Sequence, residues 1–189
     1  SYTLVVTATD TDGLTDADQI SFTVNGLPSA PLVSIEPDPA ATNNALSASI
    51  LNPSVDPEGA TVTYSYVWLK DNVVQPSQTA QIVSAADTLK GEQWTVRVTP
   101  NDGLVDGPYG EATVSVQNTP PVVSSVGISP TSNLYNDSIY TCTATVIDPD
   151  ETPVLSYQWT LGGNPVGSNV NSLDLNGTGA MPDDLLSCT

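Results

Sequence analysis

The sequence predicts an all-β protein built of tandem β-sandwich domains. Three observations carry this: strand-type composition, dense turn punctuation and an internal repeat of about 90 residues. The apolar residues are mainly Val, Leu, Ile and Ala, with Thr and Ser plentiful and Phe and Met present once each. β-Branched side chains suit a pleated, half-buried surface. Sixteen Pro and 13 Gly interrupt the chain at short intervals, and no segment carries a long apolar stripe of helical period.

The repeat rests on five landmarks in constant order. Asp12-Gly13-Leu14-Thr15-Asp16 returns as Asp102-Gly103-Leu104-Val105-Asp106, and Gln19–Val24 returns as Glu111–Val116. Proline linkers follow at Asn25-Gly26-Leu27-Pro28 and Asn118-Thr119-Pro120-Pro121. Asp56-Pro57-Glu58 matches Asp148-Pro149-Asp150, and Tyr66-Val67-Trp68 matches Tyr157-Gln158-Trp159. A period of this size is that of one seven-strand sandwich.

In the complete copy the strand candidates are Leu32–Glu36, Leu46–Leu51, Thr61–Lys70, a weak one at Val73–Val74, Ala80–Val83, Gln93–Thr99 and Ala112–Val116. The sixth alternates cleanly, with Trp94, Val96 and Val98 on one side and Thr95, Arg97 and Thr99 on the other. Such a strand buries one face. The expected division is therefore residues 1–26 as the last two strands of a preceding domain, 27–121 as a complete domain with its linkers, and 122–189 as the first part of a following one. On this reading the chain is a stretch of a longer array, cut twice at equivalent points. Its open ends also suggest head-to-tail assembly, in which one chain's N-terminal hairpin completes the next chain's C-terminal domain.

Cys142 falls on the second strand of its repeat and Cys188 on the sixth, with Trp159 on the third between them. A disulfide joining those strands against that tryptophan is an immunoglobulin hallmark. It implies an oxidising, extracytoplasmic compartment. The complete copy places Ala48 or Ile50, and Val96, at the corresponding positions.

With these residues in view, the chain resembles the tandem immunoglobulin-like surface repeats of bacteria and archaea, similar to polycystic-kidney-disease and cadherin-like modules. The carrying features are the Asp-Pro-Glu/Asp loop, the Tyr-x-Trp strand, the turn from Val98 to Gly103 and the Asn-Thr-Pro-Pro linker at 118–121. The Trp-Asp-Phe-Gly-Asp-Gly signature of the polycystic-kidney-disease modules is absent, since Leu69-Lys70-Asp71 follows Trp68. The resemblance implies stalks, adhesins, filament components or spacers of secreted enzymes.

Charge narrows the functions. Twenty-one acidic residues face three basic ones, a formal net charge of −18. Nucleic acids and anionic membranes need a basic footprint that this chain lacks. No apolar run is long enough to cross a bilayer as a helix. The absence of His removes the usual base for a Ser or Cys nucleophile and the usual zinc ligand, so no enzymatic activity is expected.

The acidic loops offer oxygen ligands instead. Asp56 and Glu58 are expected to meet Asn101, Asp102 and Asp106 at the end of the sandwich where the preceding linker arrives. Asp10, Asp12, Asp16 and Asp18 are the counterparts in the first repeat, and Asp148, Asp150 and Glu151 in the last. Calcium takes six to eight such oxygens, and the cadherin-like resemblance implies calcium at domain junctions. Ordinary turn chemistry accounts for the same Asp-Pro and Asn-Asp-Gly sequences. The expectation is a non-enzymatic repeat of an extracellular or cell-surface fibre or stalk, with neighbouring repeats as partners and calcium stiffening the junctions. The rivals are an adhesin or carbohydrate-binding module, and a spacer in a secreted hydrolase.

Overall fold

The computed structural model describes residues 1–132 and 135–189. It is all-β, with no α-helix among the described residues. Two compact units divide the chain: Ser1–Ala40 with Asn44–Val116, and Ala41–Asn43 with Gln117–Thr189.

The first unit opens with a hairpin of β1 (Tyr2–Thr9) and β2 (Thr15–Phe22), a two-stranded sheet of its own. Tyr2 lies opposite Phe22, Leu4 opposite Ile20 and Val6 opposite Asp18. Asp10 closes the turn by accepting the Asp12 and Leu14 amides, and Gly13 supplies the positive φ of 87°.

The next elements are β3 (Leu32–Glu36), β4 (Ala40–Ala41), β5 (Leu46–Asn52), β6 (Thr63–Lys70), β7 (Val73–Val74), β8 (Ile82–Val83), a 3-10 turn at Ala85–Asp87, β9 (Gln93–Asn101) and β10 (Gly110–Gln117). They form a three-stranded sheet, β3-β5-β8, and a five-stranded one, β4-β10-β9-β6-β7. The alternation expected for Gln93–Thr99 is present: Trp94, Val96 and Val98 are fully buried. They share a core with Trp68, Val114 and Val116 of their own sheet and with Val33, Ile35, Leu46, Ala48 and Val83 of the other. The arrangement is sandwich-like. At its edge Glu92 accepts from the Leu89 amide and Trp94 Nε1 and pairs with Lys70 Nζ at 3.1 Å. Partial burial pushes its carboxyl up, but these partners outweigh that and hold it below the usual carboxylate range.

The second unit contains β11 (Val122–Ser129), β12 (Ile139–Ile147), β13 (Trp159–Leu161), β14 (Asn164–Val166), β15 (Ser172–Asp174) and β16 (Leu186–Cys188). Its sheets are β11-β12-β15 and β14-β13-β16. Tyr140, Cys142, Trp159, Leu173, Leu175 and Ala180 form its core.

Strand pairing in the two units matches at several positions. Trp68 Nε1 donates to Ala80 O at 2.9 Å, and Trp159 Nε1 to Val170 O at 2.9 Å; both indoles are fully buried. Ile35 opposes Ala48 as Ile128 opposes Cys142, and Trp68 opposes Val96 as Trp159 opposes Cys188. The Cys142–Cys188 disulfide therefore occupies the places of Ala48 and Val96, with Cα atoms 6.4 Å apart.

Several boundaries differ from the sequence reading. The third strand begins at Thr63 rather than Thr61, and its counterpart keeps only Trp159–Leu161, so Tyr157 lies outside it. Only Ile82–Val83 of Ala80–Val83 is strand. The hairpin loop is shorter than the loop between β9 and β10, which adds Gly107-Pro108-Tyr109. With Leu4 matched to Trp94, Ile20 matches Val114, two residues from the alignment by sequence. A slip of two keeps every side chain on its face.

Candidate functional site

In the first unit the linker lies against both acidic loops. Asn25 Nδ2 donates to Asp102 Oδ2 at 2.7 Å, and the Gly26 amide donates to Glu58 Oε2 at 2.9 Å. Further along, Ser29 N donates to Val55 O and Val55 N donates to Ser29 Oγ. The linker is thus tied to both loops at the end of the sandwich.

Each carboxylate is shaped by its own loop. Asp56, buried, uses Oδ1 to accept the Glu58 amide at 3.0 Å and the Ala60 amide at 2.8 Å. Asp102, also buried, uses Oδ1 to accept Leu104 N and Val105 N, both at 2.8 Å. The Asn25 amide, with those two backbone donors, holds the Asp102 carboxyl below the usual carboxylate range. Asn101 Nδ2 donates to Asp106 Oδ1 at 2.7 Å, and Asn101 Oδ1 accepts Gly103 N. Asp56 Oδ2 is buried without a hydrogen-bond partner among the described residues.

The second unit repeats the device. Asp148 Oδ1 accepts the Asp150 and Glu151 amides, as Asp56 accepts those of Glu58 and Ala60. Asp150 Oδ2 accepts the Thr119 amide at 2.6 Å, as Glu58 accepts Gly26, and Asp150 Oδ1 accepts from Thr42 Oγ1. Asn118 Nδ2 bonds Thr119 O at 3.1 Å as Asn25 Nδ2 bonds Gly26 O at 3.1 Å.

In the hairpin the acidic residues serve their own turns. Asp10, rather than the aligned Asp12, accepts the turn amides, while Asp16 and Asp18 cap Ala17 N and Gln19 N. Among the described residues no three acidic side chains group closely enough to hold a metal ion. Asp102 and Asp150 use both carboxylate oxygens, and Glu58 its Oε2, to accept N–H or O–H donors.

Sequence reading missed Asn25 and Gly26 as the linker's donors, and Gly107 and Gly110 as its bed. A Cβ on Gly107 would stand 2.2 Å from Pro28 O, and one on Gly110 2.1 Å from Pro31 O. The signal was present as two glycines flanking Pro108-Tyr109, but nothing local says what lies over them. No helix is long and apolar enough to cross a membrane among the described residues. No family model matches the chain, and no curated protein matches it.

Proposed function

We propose that the chain is a non-enzymatic structural segment of an extracellular or cell-surface fibre or stalk, built of tandem immunoglobulin-like domains. One observation carries this reading: the linker clamp occurs twice, Glu58 on the Gly26 amide and Asp150 on the Thr119 amide. A clamp that recurs in each unit holds each linker against its own domain, which a spacer needs and a catalyst does not. The disulfide supports an oxidising location outside the cytoplasm.

Hydrogen bonds within the chain make this clamp. Calcium that drew on Glu58 Oε2 or Asp102 Oδ2 would compete with the linker donors for those oxygens. Backbone ¹⁵N relaxation of residues 25–31 tests the mechanism. The linker is expected to be as ordered as β9, and Glu58→Ala with Asp102→Ala is expected to raise its picosecond–nanosecond mobility. A linker equally rigid in the double variant would remove the clamp from the account. Calcium that restores order in that variant would contradict the proposed competition.

A further inference from the structure

Asn-Gly occurs twice in the chain, at Asn25-Gly26 in the linker and at Asn176-Gly177 in the second unit. The dipeptide is chemically frail, because a glycine nitrogen carries no side chain to block its approach to the preceding amide. In the reaction the glycine nitrogen gives up its proton and bonds to the asparagine Cγ. The Cγ–Nδ2 bond breaks and ammonia leaves. Water then opens the cyclic imide at either carbonyl, leaving aspartate or isoaspartate. Each product carries a negative charge that the amide lacked.

The fold treats the two copies oppositely. Asn176 stands exposed in the turn after β15, where Thr178 N and Oγ1 donate to Leu175 O at 3.0 and 2.7 Å. Among the described residues no hydrogen bond holds the Asn176 side chain or the Gly177 amide, and a Cβ on Gly177 would meet nothing within 4 Å. This exposure belongs to the repeat. In the first unit Thr88 N and Oγ1 donate to Ala85 O in the same way, and Ala86, at the place of Asn176, is exposed. At Asn25-Gly26 both reacting groups are occupied. Asn25 Nδ2, the leaving nitrogen, donates to Asp102 Oδ2 at 2.7 Å, and the Gly26 amide donates to Glu58 Oε2 at 2.9 Å. Pro57 crowds the same glycine, since a Cβ there would stand 2.9 Å from its Cγ. The Gly26 nitrogen therefore leaves Glu58 before it can turn onto Asn25 Cγ. The two carboxylates also oppose loss of its proton, because the anion formed would face like charge.

We propose that Asn176 is a site of spontaneous deamidation, and that the linker clamp shields the same dipeptide at Asn25. Conversion at Asn25 then follows linker opening, and its rate scales with the open population. Once converted, residue 25 sets a carboxylate against Asp102 where an amide donor stood. A linker that has opened and aged in this way does not re-form its clamp. The shield rests on the clamp reading above; the reactivity of Asn176 does not.

Peptide mapping of the 189-residue chain, aged in mildly alkaline buffer, tests this by following aspartate and isoaspartate at each site. The native chain is expected to convert Asn176 at least about tenfold faster than Asn25. In urea the two rates should converge, since the dipeptide is the same. Glu58→Ala with Asp102→Ala is expected to raise conversion at Asn25 toward its value in urea and to leave Asn176 unchanged. Glu58→Ala alone serves where the double variant loses the near-ultraviolet dichroism of its buried tryptophans. Asn25→Asp is expected to mobilise residues 25–31 as the double variant does, and an unchanged linker would overturn the irreversible release. Asn176 that converts in urea but not in the native chain would overturn the site. Equal native rates in a chain whose linker is ordered by ¹⁵N relaxation would overturn the shield and leave the clamp standing. A disordered native linker would remove the clamp and the shield together, and leave Asn176 to be judged on its own rate.

Discussion

The two units bury an equivalent tryptophan, one in a core closed by packing and one in a core closed by a covalent bond. Around Trp68, β6 and β9 run eight and nine residues, and Trp94 packs edge-on at 6.4 Å. Around Trp159, β13 has three residues, and Leu186 stands in the place of Trp94. The first unit closes the gap between its sheets with Ala48 and Val96, the second with the Cys142–Cys188 bond. Packing and a covalent staple thus answer the same need. Chain entropy explains why this works: a cross-link stabilises by restricting the unfolded chain, whatever area the folded state buries.

The largest expected effect that sharpens this contrast is core truncation. Trp68→Ala should cost the first unit about 3–5 kcal/mol, and Trp159→Ala should cost the second a similar amount. Denaturant titration would show two transitions, with each variant shifting only its own. Reduction comes next: opening a loop with 46 residues of separation should cost the second unit up to about 4 kcal/mol and the first nothing. A matching loss in the first unit would mean that the two do not unfold independently.

Overpacking the linker's bed should cost somewhat less. Gly107→Ala places a methyl against the Pro28 carbonyl and should destabilise the first unit by roughly 1–3 kcal/mol. Unchanged stability would show that the linker lifts off freely.

The smallest effect is the titration of Asp102. Its carboxyl is held below the ordinary value, so the associated stability is present above about pH 4 and is lost as pH falls through the folded-state value. Asn25→Ala should move that titration up toward the ordinary range, as read by carboxyl NMR. No movement would mean that Asn25 does not hold the carboxylate.

Sandwich architecture was legible because its signals are local and repeated. Alternation at Trp94, Val96 and Val98 assigns a face, and two cysteines on matching strands assign a bond. The short β4, the contraction of β13 and the role of Asp10 were not legible. A two-residue pairing is set by what crosses it, and an Asp-x-Asp turn offers either carboxylate to the same amides. At the candidate site, the meeting of Glu58 and Asp102 with the linker could be read from strand order. That they would grip Asn25 and Gly26 could not, because a carboxylate meets a cation or an N–H donor with equal ease and the sequence near it is the same.

Amide hydrogen exchange at Gly26 and Thr119 tests the repeated clamp most directly. Both amides should be protected in the native chain, with or without millimolar calcium. Glu58→Ala should free Gly26 and leave Thr119 slow, while Asp150→Ala should do the reverse. Solvent-rate exchange at both amides in the native chain, or protection that appears only with calcium, would contradict the account.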